Sequence, residues 1–184
     1  MPRPTLGDYK QRLARLLARA LASAGQAYAQ LTLDGAAHGE FADTSSGFRL
    51  RQEQLAHNAF VIAMELALTE CRRVTERLGF DHAQVFDATC DAVHEHLDAL
   101  VEVVIPPANV AFMRKDARGP DQAALVREVL KDLMGEVFWE YDLGLYALPG
   151  DPGAPVVINV ANVYGSNVGN IQQSGNGSVQ QERR

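Results

Sequence analysis

The run Pro149-Gly150-Asp151-Pro152-Gly153-Ala154-Pro155 constrains this chain more than any other stretch. Proline fixes φ and lacks an amide donor, while glycine adds backbone freedom, so no helix or strand survives that density of both. The run divides the chain into two parts of different character. Before it, apolar residues recur at helical spacing. After it, charge disappears until Glu182, and a short unit rich in Asn, Gln and Gly takes over.

Four helical segments are predicted before the run. The first covers 5–33, with Leu6, Tyr9, Leu13, Leu16, Leu17, Ala20 and Leu21 on one face and Lys10, Arg12, Arg15 and Arg19 on the polar face. Thr5 and Asp8 have capping-box spacing, and Gly35 is the expected stop. A loop is expected over 35–48. The second helix covers 49–78, with Leu50, Leu55, Phe60, Val61, Met64, Leu68, Cys71, Val74 and Leu78, and ends at Gly79. The third starts at Asp81 or His82 and stops near Val104, because Pro106-Pro107 prevents continuation. The fourth starts near Pro120, a favourable first-turn residue, and ends at Gly144 or near Ala147. Its stripe is Ala124, Leu125, Val129, Leu130, Leu133, Met134, Val137 and Phe138. Such stripes bury themselves by packing on one another, so the expected fold is all-α, an antiparallel four-helix bundle with a β-forming repeat tail.

The domain plan is 1–147 for the bundle, 148–155 for the linker, 156–181 for the repeat and 182–184 for a polar terminus. With 184 residues and 47% apolar content, the chain is long enough for a real core. A net charge of -6 argues against a general nucleic-acid binder, and no DNA partner is expected. Cys71 and Cys90 do not make a disulfide framework. The cationic residues from Lys10 to Arg19 interrupt the apolar core that a secretory signal needs, and no window reads as a membrane span. The expected location is the cytoplasm, with membrane association on activation.

The tail has period eight. Asn159-Val160, Asn167-Val168 and the diverged Gly175-Asn176 share one register; Asn162-Val163, Asn170-Ile171 and Ser178-Val179 share another. Tyr164, Gln172 and Gln180 form a third, and Gly165, Gln173 and Gln181 a fourth. Uncharged, proline-free sequence with regular Val and Ile permits cross-β stacking with Asn and Gln ladders. The expected self-assembly residues are Val160, Asn162, Val163, Val168, Asn170, Ile171, Gln172, Val179 and Gln180. Three readings stay open: a polar tail unfolded on its own, a hairpin of 156–164 with 168–173, and homotypic β stacking. They overlap, since a tail can order only on assembly.

The stretch SNVGNIQQSGNGSVQQ, Ser166 to Gln181, resembles the C-terminal amyloid-signalling motifs of bacterial immune effectors. It is loosely similar to the RHIM core, from which it departs because Gln173 and Ser174 stand between Ile171-Gln172 and Gly175. In such effectors the motif follows a small helical domain, the bacterial counterpart of the fungal HeLo domain. The resemblance implies a non-enzymatic defence or cell-death effector or adaptor, templated by an NLR-like receptor with a matching β motif. A homo-oligomer and an anionic membrane are the other implied partners, with no cofactor.

Within the helical part, Lys10, Arg12, Arg15 and Arg19 opposite a Leu-rich face could lie on an anionic membrane, or simply face water while the leucines pack. Arg51 and His57 in RQEQLAHN resemble the looser form of the HEPN ribonuclease motif, in which an Arg stabilises charge and a His moves a proton. Six helical residues set them about 120° apart. On the third helix Asp87, Cys90, Asp91, His94 and Asp98 share one broad face. That face is a solvated acidic surface unless His57, Glu65 or Glu70 converges on it to complete a metal site. Met113 to Arg118 is a basic connection, and Phe138, Trp139, Tyr141 and Tyr146 an aromatic group expected to pack on its neighbours. A third reading is a structural scaffold of fixed stoichiometry capped by an ordered β tail.

Overall fold

A computed structural model describes residues 4–37, 46–106 and 122–151. The described residues form an all-α four-helix bundle: α1 Leu6–Ala37, α2 Ser46–Leu78, α3 His82–Val104 and α4 Gln122–Asp142. The repeat tail and the Met113–Arg118 connection lie outside the described residues.

Local chemistry sets the helix ends. At α1 the Thr5 Oγ1 accepts from the Asp8 amide at 3.2 Å, and Asp8 accepts from the Thr5 amide at 2.8 Å. This is a reciprocal capping box with Asp in the place of the usual Glu. Asp81 caps α3 by accepting from the Gln84 amide at 2.9 Å. Gly79 closes α2 with φ +69° and its amide on the Thr75 carbonyl. Gly144, also at φ +69°, closes α4 in a Schellman motif: Leu145 N donates to Glu140 O at 2.8 Å and Gly144 N to Tyr141 O at 3.0 Å. Only glycine takes that backbone conformation without a Cβ penalty.

Two boundaries differ from the sequence expectation. Gly35 does not stop α1, which runs on to Ala37, and α2 starts at Ser46 rather than 49. A helical glycine costs only about 1 kcal/mol relative to alanine, which tertiary packing outweighs. Gly35 is buried within the helix rather than ending it. Gly25 also lies within α1, where a Cβ would meet the Val103 side chain at 3.4 Å.

Cross-helix contacts fix the directions. Tyr9 meets Thr89 at the start of α3, and Gly25 meets Val103 near its end, so α1 and α3 run parallel. Gln52, early in α2, donates to the Val104 carbonyl at 3.1 Å, which sets α2 antiparallel to both. The Arg127–Asp98 and Phe138–Phe86 contacts set α4 antiparallel to α3. The helices alternate up and down. The packing is not square: α1 and α4 each pack on α2 and α3 far more than on each other. The α2–α3 pair forms the centre, with α1 and α4 on its two flanks.

The core runs the length of the bundle. Leu13, Phe60, Met64, Leu68, Val85, Val93, Leu97, Leu100 and Leu130 are fully buried. Burying each such side chain contributes about 1.5–3 kcal/mol. The α4 stripe corrects the sequence reading. Val126, Leu130, Val137, Phe138 and Tyr141 face inward, while Leu125, Val129 and Trp139 face outward. Ala124 is also exposed. Leu50 and Leu78, at the ends of the α2 stripe, are exposed as well.

One buried polar atom stands out. His96 sits inside the bundle on α3, and its Nε2 has no hydrogen-bond partner among the described residues. Burial lowers its pKa below the ordinary 6.5. The folded protein therefore prefers the neutral ring, and protonation favours unfolding. The stability that neutral His96 permits is fully present above pH 6.5 and is lost as pH falls through its lowered folded value. His96→Leu should flatten the pH dependence of the urea midpoint in that acid window and leave or raise stability at pH 8.

Candidate functional site

The chain leaves the bundle at one end, and there it builds a concave feature. The cleft measures about 540 Å³ and opens widely to solvent. Arg72, Thr75 and Glu76 of α2, His82 of α3 and Tyr141 of α4 line it. Its outer wall is the strap after α4, Gly144 to Ala147, closed by Asp151.

The strap is held by the first residues of the proline- and glycine-rich run. Arg72 Nη1 donates to both Asp151 carboxylate oxygens, at 2.7 and 2.8 Å. Asp151 Oδ2 also accepts from the Leu148 amide at 2.8 Å, and the Asp151 amide returns a bond to the Leu148 carbonyl at 2.9 Å. Pro149 and Gly150 occupy the centre of this turn, with Gly150 at φ +97°, as a type II turn requires. Leu148 is buried in the core and anchors the strap from below. Arg72 hydrogen bonding, then the Leu148 amide, lowers the Asp151 pKa. The latch is thus complete above the ordinary aspartate range and is lost as pH falls through that lowered value. Asp151→Asn should speed amide hydrogen exchange at Leu148 and Asp151, with the global unfolding midpoint barely moved. Exchange by NMR or mass spectrometry checks it.

Behind the cleft lies an aromatic layer. His82 stacks on Phe86 at 5.7 Å and 13°, Phe86 on Tyr141 at 5.9 Å and 15°, and Phe138 meets Phe86 edge-on at 5.8 Å and 71°. Phe138 and Tyr141 pack as expected from sequence, and Tyr146 is half-buried, but Trp139 is exposed and leaves the group.

Deeper in, Tyr9 Oη lies 2.6 Å from Thr89 Oγ1, and Thr89 in turn donates to the Val85 carbonyl at 2.6 Å. Since the threonine proton is used on Val85, the tyrosine donates. Burial pushes the Tyr9 and Tyr141 phenols above their ordinary value. Burial also raises Cys71 and, helped by Asp87, pushes Cys90 up to about 11. Neither thiol is a thiolate at neutral pH, so neither is an activated nucleophile.

The remaining predicted residues are dispersed. Arg51 is half-buried and His57 exposed, both on α2, with about 120° between them by helical geometry. Asp87, Asp91 and His94 are exposed on α3, while Asp98 holds Arg127 at 2.8 Å. Among the described residues no three His, Cys, Asp or Glu side chains converge as metal ligands. Lys10, Arg15 and Arg19 are exposed on α1. Arg12 instead pairs with Glu70, which also takes two bonds from Arg73, at 2.6 and 2.9 Å. The opposite face of α1, with Tyr9, Leu13 and Leu17, is committed to the core. No helix among the described residues is long and apolar enough to cross a membrane. Val160, Asn162, Val163, Val168, Asn170, Ile171, Gln172, Val179 and Gln180 lie outside the described residues.

The Arg72–Asp151 latch and the Arg12–Glu70–Arg73 cluster escaped sequence reading. Arg72–Asp151 and Arg12–Glu70 join residues far apart along the chain, and each residue alone reads as an ordinary surface charge. By its fold this is an all-α bundle protein. Compared with protein-family models, curated proteins and solved structures, the chain matches none.

Proposed function

We propose that this chain is a non-enzymatic bacterial defence or cell-death effector or adaptor whose helical bundle is clustered through its C-terminal β motif. The observation that carries the reading is the uncharged period-eight repeat from Asn159 to Gln181, placed directly after a strap pinned to the bundle. A second copy, or a receptor bearing a matching motif, supplies the neighbouring strands that so short a repeat lacks alone. Clustering raises the local concentration of bundles and converts a weak interaction of each into a strong one of the array. The apolar face of α1 is engaged in the resting bundle, so action on an anionic membrane requires α1 to leave it after clustering. The basic residues Lys10, Arg15 and Arg19 then meet lipid headgroups.

The test is negative-stain electron microscopy with thioflavin T on the full chain and on a Val163→Asp, Ile171→Asp, Val179→Asp variant. Charges in a dry β interface are expensive to bury. The wild type should form dye-positive fibres and the variant should not. Dye-negative wild-type particles under assembling conditions, or fibres unchanged in the variant, reject the proposal.

A further inference from the structure

Helix α4 carries a second stripe that the bundle does not use. Leu125, Val129, Asp132, Glu136, Trp139 and Leu143 follow the alternating four- and three-residue spacing of a coiled-coil seam, and all six are exposed. The four apolar members are 52%, 61%, 63% and 53% exposed in chain order. Glu128 and Glu140 flank the stripe, so this face combines four large apolar side chains with four carboxylates. The nearest cation, Lys131, sits at its margin and approaches Glu128 at 3.8 Å. Asp132, Glu136 and Glu140 make no ion pair among the described residues.

The opposite flank of the bundle is its complement. On α1, Arg15 and Arg19 are exposed one turn apart and make no ion pair among the described residues. The exposed Ala18, Ala22 and Ala29 lie on the same face. Small residues between the arginines leave room for large ones from a partner helix.

The geometry points to a head-to-tail contact in which the acidic apolar face of α4 docks on the basic face of α1 of a second copy. Three features select this occupant. The charges match across the pair. Symmetric docking of α4 on α4 aligns Leu125 with Leu143 and Val129 with Trp139, but it sets Asp132 against Glu136 twice, and like charges at a seam repel. Finally, α1 and α4 flank the α2–α3 pair on opposite sides and run antiparallel, so simple translation of one copy brings its α1 antiparallel onto the α4 of the next. A contact between different surfaces on opposite flanks does not close on itself in pairs; it propagates as an open chain. This surface is independent of the repeat tail, so the two can be tested separately.

The experiment is sedimentation velocity on the full chain with its tail silenced by Val163→Asp, Ile171→Asp and Val179→Asp, over a concentration series at low salt. Two further variants are made in that background. Val129→Asp with Trp139→Asp blocks α4, and Arg15→Glu with Arg19→Glu blocks α1. All substituted side chains of α1 and α4 are exposed, and cooperative thermal unfolding verifies the folds. The background protein should grow past dimer with concentration and dissociate in high salt. Each blocked variant alone should stay monomeric. Their equimolar mixture should form a one-to-one dimer and nothing larger, because each supplies the face the other lacks. A monomeric background protein overturns the proposal. So does a self-associating α1-blocked variant, which marks a symmetric α4 contact, or a mixture that stays monomeric. Fibres lost on silencing the tail while this association persists separate the two modes of assembly.

Discussion

Removing both arginines around Glu70, as Arg12→Ala with Arg73→Ala, should destabilise the bundle by about 3–5 kcal/mol at pH 7, the range for a buried charge left without its partners. Glu70 is 5% exposed. Burial on its own pushes this carboxyl up, but hydrogen bonds and charge from Arg73 and Arg12 outweigh it and hold the pKa below 4.5. In the wild type, this group contributes stability above the ordinary glutamate value, lost as pH falls through the lowered folded one. In the double variant the lowering by Arg73 and Arg12 is gone, so the folded carboxyl moves up from its wild-type position. The gap between the two proteins should therefore widen as pH rises from the glutamate range to neutral and close in acid. Urea titrations at both pH values measure it; an equal loss at both would show that packing of the arginine stems dominates. Glu70→Gln is the control and should cost much less, because the stranded arginines are partly exposed and can turn to water.

Phe60→Ala should cost about 3–5 kcal/mol, a large part of the stability of a domain of this size. Phe60 lies at the middle of α2 with no exposure, and α2 packs on all three other helices. The cavity left by the ring has no route for relaxation without moving several helices. Trp139→Ala removes a larger side chain and should cost about 0.5 kcal/mol or less, since that side chain faces solvent. Thermal or urea unfolding of the two variants side by side checks the contrast. Comparable losses would place Trp139 in an unrecognised packing contact.

That contrast also shows where sequence reading succeeds and where it stops. Periodicity identifies α2 well, because it has one dominant stripe: Phe60, Met64 and Leu68 are buried as expected. Helix α4 has large apolar residues on two faces, and period alone does not say which one meets the core: Leu125 and Val129, on the expected stripe, face outward, while Val126, outside it, is buried. Glycine was similarly ambiguous. Gly79 and Gly144 sit at positive φ and end helices, whereas Gly35 sits inside one, and the residue type is the same. That α4 ends before Pro149 was legible. The docking of the strap after it was not, because the Arg72–Asp151 pair joins residues from opposite parts of the chain.

That docking has a mechanical consequence for the stacked array proposed above. With Asp151 fastened to α2, only five residue steps separate the bundle from Val156, where β-forming sequence begins. Such a leash reaches at most about 18 Å. A cross-β spine advances about 4.8 Å per strand, so three rungs from one copy occupy about 14 Å of its axis. Four packed helices are at least about 20 Å across. In the proposed array, bundles on so short a leash would collide unless successive copies fanned out around the spine, with Asp151 setting the radius. Unfastening it would lengthen the leash back to the buried Leu148, so the ion pair would tune how tightly the copies are crowded.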